Sequence, residues 1–204
     1  MIKKISILLF FIIFNITFAT TPLFDKFEKK LRKYETFKAD IKEELYIKDF
    51  DDKDVYFGKL TINKRGEVLF IFTKPEKMFI YVDTKGYIYA YSYEDKEGYR
   101  KKASSSEFYL QLFRRFLTNK EIKDLFKSIR EYTKGKSNDY VFVLIPKDKE
   151  IKKVIMETDK NFNIKFVEIY TNDGKVLYRF SNIQYLKKLE PIPNDIKKLI
   201  KKIK

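Results

Sequence analysis

The chain has 204 residues, and its 44 Lys and Arg outnumber its 29 Asp and Glu, which leaves a formal net charge of +15 at pH 7. It contains no Cys and no His. These two absences exclude disulfides, most metal sites and every nucleophile that depends on a Ser-His or Cys-His pair.

Residues 1–19 have the pattern of a secretory signal peptide. Lys3 and Lys4 precede an apolar run, and Thr17-Phe18-Ala19 ends the segment with a small-x-Ala cleavage site. The alternative is a retained membrane anchor, but the apolar run is shorter than the ~20 residues of a spanning helix. We therefore expect residues 20–204 to be exported as one domain, since roughly 185 residues is a usual domain size.

The exported part is predicted to begin with an amphipathic helix and a long strand. Over residues 24–34 the apolar side chains recur at helical spacing, with basic residues between them. The strand follows over residues 37–48, where alternate residues share a face. One face carries Phe37, Ala39, Ile41, Glu43, Leu45 and Ile47.

Three further strands are predicted between Gly58 and Asp83, separated by a Lys-Arg-Gly turn and a Lys-Pro-Glu turn. Two of them, Val68–Phe72 and Met78–Val82, are apolar at every position. A strand tolerates that composition when both of its faces are covered. The next strand carries Tyr on one face, at positions 87, 89, 91 and 93, with Ile88 and Ala90 opposite.

Two helices are predicted in the middle of the chain, one over residues 108–117 and a second that starts at Asn119 and continues to Ile129. The strands then resume over residues 140–145, 151–157, 164–170 and 176–183. A Lys-rich helix is predicted for the tail, residues 193–204, where it packs over the sheet edge, frays or docks on a membrane surface. Short turns imply antiparallel pairing, and a sheet of about ten strands must curl or close.

Four motifs in this order resemble the LolA family of lipoprotein carriers. They are Phe37-Lys38-Ala39-Asp40 after the opening helix, Gly58-Lys59-Leu60 through Lys64-Arg65, the aromatic run Phe70–Pro75, and Val82-Asp83-Thr84-Lys85-Gly86 continuing to Tyr91. Each motif alone is weak, but their order and spacing match the family over nearly all of residues 24–183. The absence of Trp, which is frequent on the family's concave face, is a departure from the pattern.

The resemblance implies a mainly β (α+β) fold: a curved antiparallel sheet forming an unclosed β-barrel of about ten strands, covered by the N-terminal helix and the mid-chain helical insertion. It also implies a periplasmic carrier that binds the acyl chains of lipoproteins and shuttles them from the inner to the outer membrane. The implied partners are acylated lipoproteins as cargo, an inner-membrane lipoprotein-releasing ABC transporter as donor, and an outer-membrane acceptor or the outer membrane itself. No cofactor is implied, and we expect a monomer.

The resemblance also implies site residues. A family Arg that holds the lid closed corresponds to Lys64, with Arg65 adjacent, so these two are the candidate lid latch. The candidate acyl-chain cavity comprises Phe27, Leu31, Phe37, Ala39, Ile41, Leu60, Ile62, Val68, Phe70, Phe72, Ile80, Val82, Tyr89, Tyr91, Leu110, Phe113 and Leu117. The alternative is that the aromatic residues among these are plain core.

Other functions remain open at this stage. A regulatory sensor of the RseB type resembles the same half-barrel, although about 185 residues leave no room for its additional C-terminal domain. A structural β-protein with a solid core is a third reading. Enzyme and nucleic-acid-binding motifs are absent from the sequence, and the carboxylate pairs Glu43-Glu44 and Asp51-Asp52 have the pattern of solvated positions, so no catalysis is expected. The Lys-rich surface suits anionic lipid headgroups, an acidic partner, or general solubility.

Overall fold

A computed structural model describes residues 21–48, 53–104 and 107–203, so the predicted signal peptide, residues 1–19, lies outside the described residues. The helices are α1 (Pro22–Leu31), α2 (Phe108–Arg115) and α3 (Asn194–Ile200), with short 3-10 turns at Ile122–Leu125 and Gly135–Ser137. The strands are β1 (Thr36–Ile47), β2 (Lys53–Asn63), β3 (Val68–Lys74), β4 (Met78–Val82), β5 (Tyr87–Ser92), β6 (Gly98–Lys102), β7 (Phe126–Lys134), β8 (Asp139–Pro146), β9 (Ile151–Thr158), β10 (Ile164–Thr171) and β11 (Gly174–Leu186). None of the helices in these ranges is long and apolar enough to cross a membrane.

All eleven strands belong to one antiparallel sheet in the order β6-β5-β4-β3-β2-β1-β11-β10-β9-β8-β7. Strand β1 therefore lies at the centre, and β6 and β7 are the two edges. The sheet does not close on itself, which confirms the predicted unclosed barrel with covering helices. The chain crosses from edge strand β6 to edge strand β7 through α2, and this helix packs over the concave face of the sheet.

The second predicted mid-chain helix, residues 119–129, is wrong. The structure has only the turn Ile122–Leu125 there, and Phe126 begins the edge strand β7. Phe126 and Ile129 suggested a helix because they lie three positions apart. A register shift between Phe126 and Ser128 changes the alternation at that point, so Phe126 and Ile129 both pack against the inner core. The edge strand β6 was not predicted.

The concave face of the sheet carries the main core, which α1 and α2 cover. Helix α1 is held over β7 because the Glu131 carboxylate accepts hydrogen bonds from the backbone N–H groups of Phe24 (2.9 Å) and Leu23 (3.3 Å). This arrangement satisfies donors that a helix N-terminus otherwise leaves without partners. The Phe24 ring then meets Phe142 of β8 edge to face, with ring centroids 5.2 Å apart.

The convex face is also covered, by the C-terminal segment. Ile192 and Ile196 of this segment form a second buried cluster with Leu69, Phe79 and Tyr81 of β3 and β4. The apolar runs of these two strands predicted cover on both faces, and α3 supplies the outer cover. The tail therefore packs across the outer surface of the sheet.

A conservative substitution tests this packing. Ile196 is 1% exposed, and Ile196→Val removes one methylene group from the contact. We expect a loss of about 1 kcal/mol in the free energy of unfolding, measured by urea denaturation. The exposed neighbour Lys197→Ala is the control and should change stability by less than about 0.5 kcal/mol. Equal, negligible effects of the two variants would contradict the packing of α3.

Candidate functional site

The predicted cavity residues lie together on the inner side of the sheet, with two exceptions. All of the others are buried in the inner core or pack against it. These are Phe27, Leu31, Phe37, Ala39, Ile41, Leu60, Ile62, Val68, Phe70, Phe72, Ile80, Val82, Leu110, Phe113 and Leu117.

Tyr89 and Tyr91 are the two exceptions, and their prediction as cavity residues is wrong. Both pack against the outer cluster beneath α3, and Tyr91 stacks on Phe79 with ring centroids 5.7 Å apart. Their strand neighbour Ile88 is the residue that enters the inner core. Alternation along β5 separates its two faces correctly, but it does not identify the inner face when both faces are apolar.

Aromatic side chains of α2 fill much of the hollow. The Phe113 ring meets Phe70 of β3 (5.8 Å between centroids) and Tyr178 of β11 (5.2 Å). An open space of about 170 Å³ remains beside them. It is lined by Glu43, Leu45, Tyr56, Phe70, Phe72, Met78, Ile80 and Tyr109. Ligand pockets usually measure roughly 300–1,000 Å³, so a long apolar ligand would have to displace α2.

Polar contacts hold α2 at both ends. At its start, the Glu107 carboxylate accepts hydrogen bonds from Ser104 Oγ (2.6 Å) and from Lys101 Nζ on the edge strand β6. Burial opposes the charge of Glu107, but these hydrogen bonds prevail and lower its pKa to about 2. At the other end, Arg114 Nε donates to the Gly66 carbonyl (3.0 Å) and Arg114 Nη2 donates to the Thr84 carbonyl (2.9 Å). Arg114 thereby joins α2 to the β2–β3 and β4–β5 turns.

The structure does not bring the predicted latch residues into such contacts. Lys64 Nζ pairs with Glu35 Oε1 at 2.7 Å, which connects the β2–β3 turn to the segment before β1. Arg65 is exposed. Within the described ranges neither side chain hydrogen-bonds to α2; Arg114, rather than Lys64 or Arg65, makes the contacts that tie this helix to the turns. Sequence reasoning missed Arg114, although an Arg on the polar side of an amphipathic helix was visible.

Lys64 and Arg65 instead belong to a basic cleft of about 530 Å³ beside the C-terminal end of α2. Half of its lining residues are basic, and no lining residue is acidic. The basic ones are Lys64, Arg65, Lys85, Lys102, Arg114, Arg115 and Lys120. Clustered charge of one sign in a concavity concentrates the field, so this cleft attracts anions.

Adjacent carboxylates on β1 have opposite environments. Glu44 faces outward, where hydrogen bonds from Lys42 and Tyr46 lower its pKa to about 2. Glu43 faces the hollow, where burial raises its pKa to about 7 and a hydrogen bond with Tyr178 offsets only part of that rise. The prediction that both carboxylates are solvated is therefore wrong: Glu43 faces the hollow, and Glu44, although outward and ion-paired, is only 5% exposed. The strand alternation had already placed Glu43 with Ile41 and Leu45, which was the available signal.

The sequence and the fold were compared with those of known proteins. The sequence matches no protein-family model and no curated protein. Among solved structures, the chain is similar to an outer membrane lipoprotein-sorting protein domain from Vibrio parahaemolyticus, with 15% identity, a TM-score of 0.49, and coverage of 87% of this chain and 97% of that chain.

Two further solved structures are similar. A LolA superfamily protein from Nitrosomonas europaea has 12% identity and a TM-score of 0.43, over 87% of this chain and 97% of that chain. MucB, in complex with MucA(peri), has 9% identity and a TM-score of 0.42, over 87% of this chain and 59% of that chain.

Proposed function

We propose that this protein is a periplasmic carrier that binds the acyl chains of lipoproteins between α2 and the concave face of the sheet. In this proposal it carries them from the inner to the outer membrane and catalyses no reaction. The observation that supports it most directly is that a helix, rather than a second layer of strands, covers the concave face of the sheet. A helix held by side-chain contacts can move away from the sheet, whereas a closed strand ladder cannot open without breaking many backbone hydrogen bonds.

The energies of opening and binding are similar in size. Four apolar side chains of α2 are buried, namely Phe108, Leu110, Leu112 and Phe113. Exposing such side chains costs roughly 1.5–3 kcal/mol each, or about 6–12 kcal/mol together. An acyl chain gains about 0.8 kcal/mol per buried methylene, so a chain of about 15 methylenes returns roughly 12 kcal/mol. One chain approximately offsets opening, and additional chains provide net binding, which suits a carrier that must also release its cargo.

The proposed partners are acylated lipoproteins as cargo, an inner-membrane lipoprotein-releasing ABC transporter as donor, and an outer-membrane acceptor or the outer membrane itself. The basic cleft supports contact with anionic membrane surfaces or acidic faces of such partners. It lies beside Arg114, so a partner bound there would be next to the contacts that hold α2.

The test is native mass spectrometry of the full chain after expression with its own leader and purification from the envelope fraction. We expect acylated mass bound at one lipoprotein per protein, and lipid extraction should recover the acyl chains. Ile80→Ser, which places a hydroxyl on the wall of the hollow, should reduce the bound fraction several-fold. Tyr91→Ser, on the opposite face of the neighbouring strand, is the matched control and should not reduce it.

Other outcomes would contradict the carrier function. An empty protein that also fails to bind the dye 8-anilinonaphthalene-1-sulfonate would indicate a permanently filled core. Stoichiometric recovery of a regulatory protein segment without acyl chains would instead favour the RseB-type sensor. Circular dichroism of each variant would confirm that the fold is retained.

A further inference from the structure

Glu43 is a carboxylate on the apolar inner wall of the sheet. It lies in β1, the central strand, and its neighbours on the same face, Ile41 and Leu45, are apolar. It lines the open space of about 170 Å³ together with Phe70 and Phe72. The side chain is therefore accessible from the hollow, although the surrounding surface is largely apolar.

Three tyrosines on three different elements surround this carboxylate. Tyr56 of β2 and Tyr178 of β11 lie directly opposite Glu43 in the two neighbouring strands. Tyr109 of α2 stacks on Tyr178 with ring centroids 6.0 Å apart. Tyr56, Tyr109 and Tyr178 are the titratable groups that face Glu43 from these elements. Their hydroxyls can donate hydrogen bonds to an anion, but they carry no positive charge to balance it.

No Lys or Arg in the described part of the chain forms an ion pair with Glu43. The contrast with Glu44 is direct, because Lys42 Nζ lies 2.6 Å from the Glu44 carboxylate. Glu43 is only half-buried, but its surroundings are largely apolar, and a carboxylate without a counter-charge is costly there, so desolvation raises its pKa to about 7. Basic residues are abundant in this protein, whose formal net charge is +15, so the absence of an ion pair at Glu43 is not explained by a shortage of cations.

A structural role alone does not account for a glutamate here. Tyr178 is 1% exposed and its hydroxyl needs a partner, which Glu43 supplies. A neutral Gln would supply that partner without the cost of burying a charge. The carboxylate adds only the capacity to bind a cation or a strong hydrogen-bond donor. It also faces the space in which a ligand would lie.

We propose that Glu43 is the binding site for a protonated primary amine on an amphiphile whose apolar chains occupy the hollow. This inference rests on the proposed function and specifies the ligand class. The ammonium would provide the missing counter-charge, and the tyrosine hydroxyls would orient the carboxylate toward it. Such an amine could belong to an aminolipid headgroup or to the free α-amino group of an acylated polypeptide.

Chain-matched probes test the proposal. Dodecylamine, which is protonated at pH 7.5, and dodecanol differ in charge but share the same apolar chain, and both are used below the solubility limit of dodecanol. We expect calorimetry of the exported chain to show at least tenfold tighter binding of dodecylamine. In Glu43→Gln the two affinities should agree within about twofold. Glu44→Gln removes a carboxylate from the outward face of the same strand, and it should retain the tenfold preference.

The outcomes separate this inference from the carrier function. If dodecanol binds and dodecylamine is not preferred, or if Glu43→Gln keeps the preference, the amine site is refuted and the carrier function stands. If neither probe binds the unmodified protein, the amine site is refuted, and the native mass spectrometry described above decides the carrier function separately. Two further pairs of ligands distinguish the amine sources when the preference is found. These are a diacylated cysteinyl peptide with a free or acetylated amino terminus, and phosphatidylethanolamine compared with phosphatidylglycerol; tighter binding of the amine-bearing member of either pair supports the site.

Discussion

Arg114→Ala is expected to release α2 from the sheet and to increase the accessibility of the hollow. The variant removes two charged hydrogen bonds, to the Gly66 and Thr84 carbonyls. Hydrogen bonds to charged groups contribute about 1.5–3 kcal/mol each, but turn carbonyls near water recover part of that energy. We expect opening to become easier by about 1–3 kcal/mol, which corresponds to roughly a 5- to 150-fold increase in the open population.

Hydrogen exchange of the backbone amides of α2, followed by mass spectrometry, measures this change directly. Exchange across residues 108–117 should accelerate, while exchange in the central strand β1 should not. Arg65→Ala is the matched control, because it removes the same charge from the same cleft but from an exposed side chain. If Arg65→Ala accelerates exchange in α2 and Arg114→Ala does not, the position implied by the family resemblance is the latch after all.

Glu43→Gln is expected to stabilise the protein at alkaline pH. Burial raises the pKa of Glu43 from 4.5 to about 7, so the folded state binds this proton more tightly than the unfolded state. The folded protein therefore loses stability as the pH rises from 4.5 through about 7, because folding then requires a buried carboxylate. At pH 8 the accumulated loss is at most about 3 kcal/mol, because Glu43 is only half-buried, and the glutamine variant should recover up to that amount.

Urea denaturation at pH 4, 6 and 8 tests this expectation. The two proteins should be equally stable at pH 4, where Glu43 is protonated, and should diverge as the pH increases. Glu44→Gln is the internal control with the opposite sign. Its carboxylate has a lowered pKa, so the stability that it contributes is present above 4.5 and is lost as the pH falls toward 2. Parallel pH profiles for Glu43→Gln and the unmodified protein would show that water solvates the Glu43 carboxylate.

The Arg114 and Glu43 variants test two steps of the proposed carrier mechanism, opening and ligand recognition. Arg114 affects how readily α2 leaves the sheet, and Glu43 affects what the exposed wall recognises. A carrier with both features would open at the basic cleft and would select ligands at the opposite end of the same strands. Lys64 and Gly66 lie in the turn after β2, whereas Glu43 pairs with Tyr56 nearer the other end of that strand.

The sequence by itself determined most of the strand architecture. Alternation over Phe37–Lys48 predicted β1, and the apolar runs Val68–Phe72 and Met78–Val82 predicted two strands covered on both faces. These predictions succeeded because period-two alternation and turn residues are local properties of the chain. The same alternation grouped Glu43 with the apolar residues of β1, although Glu43 was interpreted as solvated because its neighbours could not be known.

Only the tertiary structure decided the remaining features, because they depend on residues far apart in the chain. The contacts that hold α2 join Arg114 to Gly66 and Thr84, which lie in two separate turns. The register shift in β7 converts an apparently helical spacing into a strand. Helix α3 covers one face of β5, so the opposite face is the inner one. Glu43 has tyrosines and no cation opposite it because β2 and β11 flank β1 and place Tyr56 and Tyr178 there. Local pattern specifies which residues share a face, and packing between distant segments specifies what that face contacts.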